Sequence, residues 1–157
     1  MNITLLLIGK TDEKAIQILM DKYMKRIQSF NNFSLQLIPD LKNTKNLSES
    51  LQKQKEGDLI LSKISPADWV VLLDEKGKEF TSVGFAGQLQ KHMNSGLKNL
   101  VFVIGGPYGF SDAVYQRANQ KIALSQMTFS HQLVRVIFLE QLYRGLAIIH
   151  NHPYHHV

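Results

Sequence analysis

The stretch that decides the fold is "LVFVIGGPYGF", residues 100–110. Its first part, Leu100–Ile104, is an unbroken apolar run, which is typical of a strand buried on both faces of a parallel sheet. Gly105 and Gly106 follow at once, and a glycine pair lets the backbone turn sharply and approach a ligand with no Cβ in the way. The stretch therefore predicts an internal strand with a candidate binding loop at its carboxyl end.

On both sides of this stretch, apolar runs alternate with segments of helical periodicity. "WVVLLD" has the same buried character, whereas "TDEKAIQILMDKYMKRI" places its apolar residues on one helical face. This alternation predicts a single α/β domain over residues 1–157, with a mainly parallel sheet flanked by helices. The predicted strands are Ile3–Ile8, Phe33–Ile38, Trp69–Asp74, Leu100–Ile104 and the brief "KIAL".

Helix ends and connections carry expectations of their own. Gly57 should weaken a helix near Leu47–Lys63, "EKGKEF" should turn the chain after Asp74, and Ser82 can cap the helix that follows. The last helix, "QLVRVIFLEQLYRGLAII", is apolar over most of its circumference, so it is either a core helix or packs against another subunit. Its polar stripe consists of Arg135, Glu140, Gln141 and Arg144.

Composition narrows the functional classes. The chain has 157 residues, no cysteine and a formal net charge of +5. The lack of cysteine excludes disulfides, thiolate metal sites and cysteine nucleophiles, and the positive charge favours polyanionic partners. The apolar runs fall well short of the ~20 residues of a membrane span, and the run Ile3–Ile8 lacks the flanks of a signal peptide. We therefore expect a soluble, cytoplasmic protein.

Three loops leave the carboxyl ends of predicted strands, where open parallel sheets bind ligands. They follow Leu73–Asp74, span Ile104–Phe110 and cover "LSQMTF", Leu124–Phe129. The glycines of the second loop do not have the G-x-G-x-x-G spacing of a dinucleotide site. That loop is therefore either a ligand loop of another kind or an ordinary tight turn.

The third loop has the composition of an adenine pocket. Its backbone amides and carbonyls can bind the edge of an adenine, and Leu124, Met127 and Phe129 can supply apolar walls. Taken alone, the six residues are explained better if Met127 and Phe129 belong to the core. Ser125 lacks the G-x-S-x-G elbow of a serine nucleophile, so covalent chemistry is not predicted for this loop.

The segment "HNHPYHHV", residues 150–157, holds four of the six histidines of the chain. A zinc site is disfavoured because no cysteine or nearby acid completes a tetrahedral set. Two interpretations stay open. The segment is a frayed tail, or Pro153 stiffens it so that Tyr154 and the histidines fold back over an active site, where they can bind a base or move a proton. We expect His156 and Val157 to be loosely held.

Together, "VFVIGGPYGF", "LSQMTFSHQLVRVIFLEQLYRG" and "NHPYHHV" resemble the ribosomal RNA large subunit methyltransferase H family of the SPOUT superfamily. The resemblance covers essentially the whole chain. It implies an α/β fold with a deep C-terminal trefoil knot, S-adenosylmethionine as cofactor, and methylation of N3 of a pseudouridine in 23S rRNA of the assembled ribosome. It also implies a homodimer with the substrate site between subunits, and neither metal nor membrane. The cofactor-binding residues by similarity are Leu73, Gly105, Gly106, Leu124, Ser125, Gln126, Met127, Thr128 and Phe129.

The implied reaction requires that the N3 nitrogen, the methyl group and the sulfur be aligned and that the N3 proton be removed. We expect Arg144, Tyr154 and His155 to hold the pseudouridine, with His155 as the proton acceptor. Arg135 either contacts an RNA phosphate or is a paired structural arginine. Two rival functions stay open: a non-catalytic RNA- or ribosome-binding module of the same fold, and an α/β enzyme that uses another nucleotide cofactor.

Overall fold

The computed structural model describes residues 1–156, so the expectation for Val157 lies outside the described residues. The strands are β1 (Asn2–Ile8), β2 (Phe33–Ile38), β3 (Trp69–Glu79), β4 (Asn99–Ile104) and β5 (Gln120–Ala123). The α-helices are α1 (Lys14–Gln28), α2 (Glu49–Ser62), α3 (Ser82–Asn94), α4 (Asp112–Arg117) and α5 (Leu133–Ile149), and a short 3-10 helix covers Thr44–Asn46. No helix within residues 1–156 is long and apolar enough to cross a membrane.

The strands form one sheet in the order β2-β1-β4-β3-β5, and neighbouring strands pair in parallel. Side chains of a strand alternate between the two faces of a sheet. Leu5 and Leu7 of β1 therefore enter one core, while Leu6 and Ile8 enter the other. Helices α1, α3 and α5 cover the first face, and α2 and α4 cover the second. The predicted α/β fold with a parallel sheet flanked by helices is confirmed.

Helix α5 runs from the carboxyl end of the sheet to its amino end. At the carboxyl end, the Gln132 side chain donates to the Lys10 carbonyl at 3.4 Å. At the amino end, His150 stacks on Phe30 with ring centroids 4.7 Å apart. The helix has 17 residues and is therefore about 25 Å long. It packs between α1 and α3 on the sheet, as expected for a core helix.

Strand β3 differs from its prediction. The chain does not turn away after Asp74: Leu73 and Lys78 both pair with Ile122 of β5, so residues 74–77 bulge out and the strand resumes as far as Glu79. A Cβ on Gly77 would lie 2.5 Å from the Ile122 backbone. Because only glycine permits this close approach, "EKGKEF" forms a bulge where a strand-ending turn was expected.

Two helices also differ in detail. Gly57 does not interrupt α2, which is continuous over Glu49–Ser62. A Cβ at Gly57 would lie 2.3 Å from Ser111 Oγ, so the glycine allows the start of α4 to pack closely. The N-cap of α3 is Thr81, whose hydroxyl accepts from the Gly84 N–H at 3.0 Å, and the prediction of Ser82 was wrong by one residue.

Arg135 of α5 is a buried structural residue with 2% exposure. Its guanidinium donates to the Ile8 carbonyl at 2.7 Å and to Thr11 Oγ1 at 2.9 Å. Burial lowers the pKa of Arg135, and the carboxylates of Asp40 and Asp12 act in the opposite direction. The alternative in which Arg135 contacts an RNA phosphate is wrong, because the group lies inside the protein and ties α5 to the loop after β1.

Candidate functional site

A pocket of about 650 Å³ opens at the carboxyl end of the sheet. Its walls come from the three loops that the sequence predicted, and its volume lies in the range of small-molecule sites. The predicted cofactor residues that line it are Leu73, Gly105, Gly106, Leu124, Ser125, Met127, Thr128 and Phe129. Gln126 is exposed and is not among the lining residues.

The wall of the pocket at β4 is bare backbone. A Cβ on Gly106 would lie 2.2 Å from Glu56 Oε2, and one on Gly105 would lie 2.9 Å from the Phe110 ring. A side chain at either position would therefore displace the residue behind it. Gly109, with φ of +79°, closes the turn by donating its N–H to the Gly106 carbonyl at 3.2 Å. The turn thus exposes main-chain groups to a ligand and is held from behind by packing.

Glu56 of α2 is the support behind this turn and is 4% exposed. Gln52 Nε2 donates to its Oε1 at 3.0 Å. Burial raises the pKa of Glu56, the hydrogen bond from Gln52 lowers it, and the nearby charge of Asp40 raises it. The net upward shift follows from the cost of burying a carboxylate whose hydrogen-bond donor, Gln52, is neutral.

The bulge of β3 places charged groups on the neighbouring wall. Asp74 Oδ1 accepts from the Lys76 N–H at 2.8 Å, and Asp74 Oδ2 accepts from the Tyr115 hydroxyl. Burial and this hydrogen bond raise the pKa of Tyr115 to about 12, so the phenol stays a donor at neutral pH. Asp74, Glu75, Lys76 and Tyr115 all line the pocket.

The loop after β5 forms the third wall. Ser125 Oγ accepts from the Met127 N–H at 3.0 Å, and Thr128 Oγ1 donates to Glu75 Oε2 at 3.1 Å, which ties this loop to the bulge. Met127 is 77% exposed, so the interpretation of Met127 as a core residue is wrong. Its thioether and the half-buried ring of Phe129 provide apolar surface at the pocket.

The tail forms a second cluster, centred on Glu140 of α5. Arg144 Nε and the Tyr154 hydroxyl both donate to Glu140 Oε1, at 3.1 Å and 3.0 Å. The Arg144 guanidinium also lies over the Tyr154 ring, 4.7 Å from its centroid, which is a cation–π geometry. Arg144 Nη1 lies 3.3 Å from His155 Nδ1. The three predicted catalytic residues therefore meet in one network.

The protonation states in this network follow from its hydrogen bonds. A guanidinium only donates, so in the contact with Arg144 the His155 Nδ1 is the acceptor. The hydrogen bond to Glu140 raises the pKa of Arg144. Burial, followed by hydrogen bonds to Tyr23 and Glu140, raises the pKa of Tyr154. The cluster therefore offers a guanidinium cation, a protonated phenol and an imidazole nitrogen beside the guanidinium.

Aromatic contacts hold the tail against the protein. His150 stacks on Phe30, and its Nδ1 lies 2.8 Å from the Leu146 carbonyl. Tyr143 and Tyr154 have ring centroids 4.6 Å apart. The tail up to His155 is thus folded back on α1 and α5, which contradicts the interpretation of a frayed end. Within the described part of the chain, no group of three or more metal-ligating side chains is present.

The pocket and the tail cluster lie at opposite ends of the sheet. His131 and Val134, around the start of α5, line the pocket, whereas the tail residues are not among its lining residues. Arg144 lies about 15 Å from Val134 along the helix axis. The tail is folded back, as one of the two interpretations held, but it does not line the pocket of the same chain.

Sequence reasoning missed several residues at both places. The sequence predicted a turn at Glu75 and Lys76. No local pattern connects Tyr115 to Asp74, because their contact depends on how α4 packs beside β3. Glu140 carried a usable signal, since it precedes Arg144 by one helical turn, and acid-to-base pairs at this spacing form ion pairs.

Comparison with known proteins agrees with the sequence motifs. A family profile described as "Predicted SPOUT methyltransferase" matches residues 1–155. Two proteins called "Ribosomal RNA large subunit methyltransferase H", from Flavobacterium johnsoniae and Flavobacterium psychrophilum, are 63% and 64% identical to the chain over 156 residues, with 99% of each sequence covered. The chain belongs to the ribosomal RNA large subunit methyltransferase H family. The family member from Parabacteroides distasonis is 55% identical at the same coverage. The resemblance seen in the sequence is thereby confirmed.

Proposed function

We propose that this protein is an S-adenosylmethionine-dependent methyltransferase that acts as a homodimer, in the cytoplasm, on N3 of a pseudouridine in 23S rRNA of the assembled ribosome. Family membership supports the coarser part, methyl transfer to large-subunit ribosomal RNA. The observation that carries the proposal is the convergence of the glycine turn, the β3 bulge and the loop after β5 on one pocket. The net charge of +5 suits an RNA substrate.

The pocket suits a nucleoside that carries a positive charge. Bare backbone at Gly105 and Gly106 offers main-chain hydrogen bonds, and Leu124 and Phe129 offer apolar contact for an adenine. Asp74 adds a carboxylate on the wall between these two loops. When bound, S-adenosylmethionine supplies a methyl group that is already activated by the sulfonium.

The tail cluster supplies the groups that the base requires. Arg144 and Tyr154 orient the pyrimidine through hydrogen bonds to its carbonyl oxygens, which aligns N3 with the methyl carbon. His155 accepts the N3 proton at Nδ1, and this atom becomes free when Arg144 turns from His155 to the base. With the methyl donor bound, the electron pair left on N3 would form the new bond to the methyl carbon, and both electrons of the broken carbon–sulfur bond would stay on sulfur.

A second protomer is needed to bring pocket and tail together. They lie at opposite ends of the sheet within one chain. In the proposed two-fold dimer, the pocket of each protomer faces the tail of its partner. The outer side of α5 offers apolar surface for such an interface: Leu133 is 43% exposed, and Ile137 and Ile148 are half-buried. We place the pseudouridine between these two parts.

The trefoil knot belongs to the same proposal. The segment after β5 contacts two separate loops: Thr128 bonds the β3 bulge, and Gln132 bonds the loop after β1 through the Asp12 N–H at 3.0 Å. Such a path is what threading of the carboxyl-terminal segment requires. An experimental density map in which the carboxyl-terminal segment passes beside the loops, without threading through one of them, would contradict the knot.

Subunit complementation tests the composite site. Gly106→Val blocks the pocket and Arg144→Gln disables the tail cluster, so each homodimer should keep no more than about 1% of the wild-type activity. Random mixing of the two variants makes half of the dimers heterodimers, each with one intact pocket facing one intact tail, so activity should return to about a quarter of the wild-type value. If no activity returns although heterodimers form, pocket and tail do not act across the interface.

The substrate and cofactor are tested directly. Calorimetry should show binding of S-adenosylmethionine to the wild-type protein, and mass spectrometry of 23S rRNA from a strain that lacks the gene should show loss of one methyl group from a pseudouridine. Complementation with the wild-type gene should restore it. A chain that binds ribosomes but neither binds the cofactor nor restores the modification would be the non-catalytic RNA-binding module.

A further inference from the structure

Asp74 lies at the middle of the proposed cofactor pocket. In the sheet, β3 stands between β4, which ends in the glycine turn, and β5, which leads into the loop Leu124–Phe129. A ligand that contacts both of these loops must pass over the end of β3. Asp74 lines the pocket at that point. In S-adenosylmethionine, a nucleoside is joined to an amino acid through sulfur, so the sulfur lies in the middle of the ligand.

The position of the Asp74 carboxylate is held by two hydrogen bonds. Oδ1 accepts from the Lys76 N–H at 2.8 Å, and Oδ2 accepts from the Tyr115 hydroxyl. Each carboxylate oxygen can accept more than one hydrogen bond, so both keep capacity toward the pocket. The carboxylate is therefore preorganised, and a ligand does not have to pay for ordering it.

Within residues 1–156, no basic side chain forms a salt bridge with Asp74. The one salt bridge within residues 1–156 joins Arg144 to Glu140, in the tail cluster. Lys76 lines the same pocket, but it meets Asp74 through its backbone N–H. Glu75 adds a second carboxylate to this wall and bonds the Thr128 hydroxyl, a neutral group. The wall of the pocket at β3 therefore carries negative charge without an ion-pair partner.

We infer that Asp74 is a specificity-determining residue that recognises the positive charge of the methyl donor and so favours the sulfonium form over the neutral thioether product. The inference rests on the proposed function. Methyl transfer leaves both electrons of the broken carbon–sulfur bond on sulfur, so the positive charge disappears there. The step that forms the product therefore removes the attraction between Asp74 and the ligand, which promotes exchange of the product for a new methyl donor.

Calorimetry with three ligands and four proteins tests this role. The ligands are S-adenosylmethionine, its neutral product S-adenosylhomocysteine, and sinefungin, in which a protonated amine replaces the methylated sulfonium. Asp74→Asn removes the charge and keeps the shape: its Oδ1 can still accept from the Lys76 N–H, while its Nδ2 donates to the Tyr115 hydroxyl oxygen. Glu79→Gln is the matched control, because it removes the same charge from an exposed residue of the same strand outside the pocket. Tyr115→Phe removes the hydrogen bond and keeps the Asp74 charge.

Asp74→Asn should weaken binding of the two cationic ligands by about tenfold, which corresponds to about 1.4 kcal/mol. It should weaken binding of the product by no more than about twofold. Glu79→Gln and Tyr115→Phe should keep the wild-type ratio of donor to product affinity. Circular dichroism and thermal unfolding check the fold of each variant. If Asp74→Asn does not fold, Asp74→Ser replaces it in the same comparison.

Two results would overturn the inference while leaving the proposed function in place. One is equal weakening of all three ligands by Asp74→Asn, which would make Asp74 a general ligand of the common adenosine or amino-acid part. The other is loss of the affinity ratio in Tyr115→Phe, which would assign the effect to the hydrogen-bond network. Failure of the wild-type protein to bind any of the three ligands would instead overturn the proposed function itself.

Discussion

The pocket and the tail cluster are built in opposite ways. The pocket at the carboxyl end of the sheet is defined by main chain, with Gly105, Gly106 and the β3 bulge packed tightly from behind. The tail cluster at the amino end is defined by side chains, with Arg144 and Tyr154 converging on Glu140. A substitution at the pocket should therefore act through shape, whereas a substitution at the cluster should act through lost hydrogen bonds and charge.

The separation of the two regions also has a functional meaning. Binding of the methyl donor depends on loops at one end of the sheet, and orientation of the base depends on a network at the other. Substitutions should therefore divide into those that change cofactor affinity and those that change turnover.

Gly77→Ala should damage the pocket most. Its Cβ would lie 2.5 Å from the backbone of Ile122, which cannot move aside as a side chain can. We expect a loss of about 3 kcal/mol in the free energy of unfolding and loss of cofactor binding, measured by urea denaturation and calorimetry. Gly87→Ala is the control, since nothing lies within 4 Å of its Cβ. That variant should gain about 0.4–1 kcal/mol. Normal cofactor affinity in Gly77→Ala would show that the bulge does not shape the pocket.

Arg144→Gln should lower turnover by about 100-fold, because it removes the cation that orients the base and contacts His155. The affinity for S-adenosylmethionine should stay within about twofold of wild type, since Arg144 is not among the pocket lining. Single-turnover methylation of ribosomes and calorimetry measure the two quantities. A similar loss of cofactor affinity would contradict the proposed division between substitutions that change cofactor affinity and those that change turnover.

His155→Ala should lower turnover by about 100-fold, and by less at alkaline pH, where hydroxide deprotonates N3 in a fraction of the substrate without a protein base. Tyr154→Phe, which keeps the ring beneath Arg144 and removes the hydrogen bonds of the hydroxyl to Glu140 and Tyr23, is the matched comparison. A normal rate in His155→Ala across the whole pH profile would exclude His155 as the proton acceptor.

Arg135→Lys should destabilise the protein by about 2 kcal/mol, since an ammonium cannot replace both bonds of the buried guanidinium. Helix α5 connects the pocket to the tail cluster. Weaker anchoring of this helix should therefore change cofactor affinity and turnover by similar, small amounts. Urea denaturation gives the free energy of unfolding. A selective loss of RNA binding with unchanged stability would show that Arg135 belongs to the substrate interface.

Glu56→Gln should have the smallest effect, a change in the pH dependence of stability. Because the pKa of Glu56 is raised in the fold, the folded state holds a proton that the unfolded state has released. The stability of the wild-type protein should therefore fall as pH rises from the unfolded-state pKa to the higher folded-state pKa, and remain level above it. Glu56→Gln should remove this fall, and the exposed Asp58→Asn on the same helix should retain it.

Much of the pocket was predictable because its signals are local. A run of apolar residues followed by glycines predicted both the strand and the loop, and the three loops then had to meet because parallel strands end on the same side of a sheet. The bulge of β3 was not predictable, since it depends on the close approach of Gly77 to β5, a strand more than forty residues later. Met127 was misjudged because apolar character alone does not distinguish a core residue from a pocket wall.

The sequence by itself determined the order of strands and helices, the candidate loops and the family, since these depend on apolar periodicity, glycine positions and motif order. Only the tertiary structure decided three other matters: the burial of Arg135, the network of Arg144, Tyr154 and His155 around Glu140, and the distance of that network from the pocket. Each depends on where α5 begins and in which direction it crosses the sheet. Side-chain periodicity reports which face of a helix is buried, but not which end of the sheet its last residues reach.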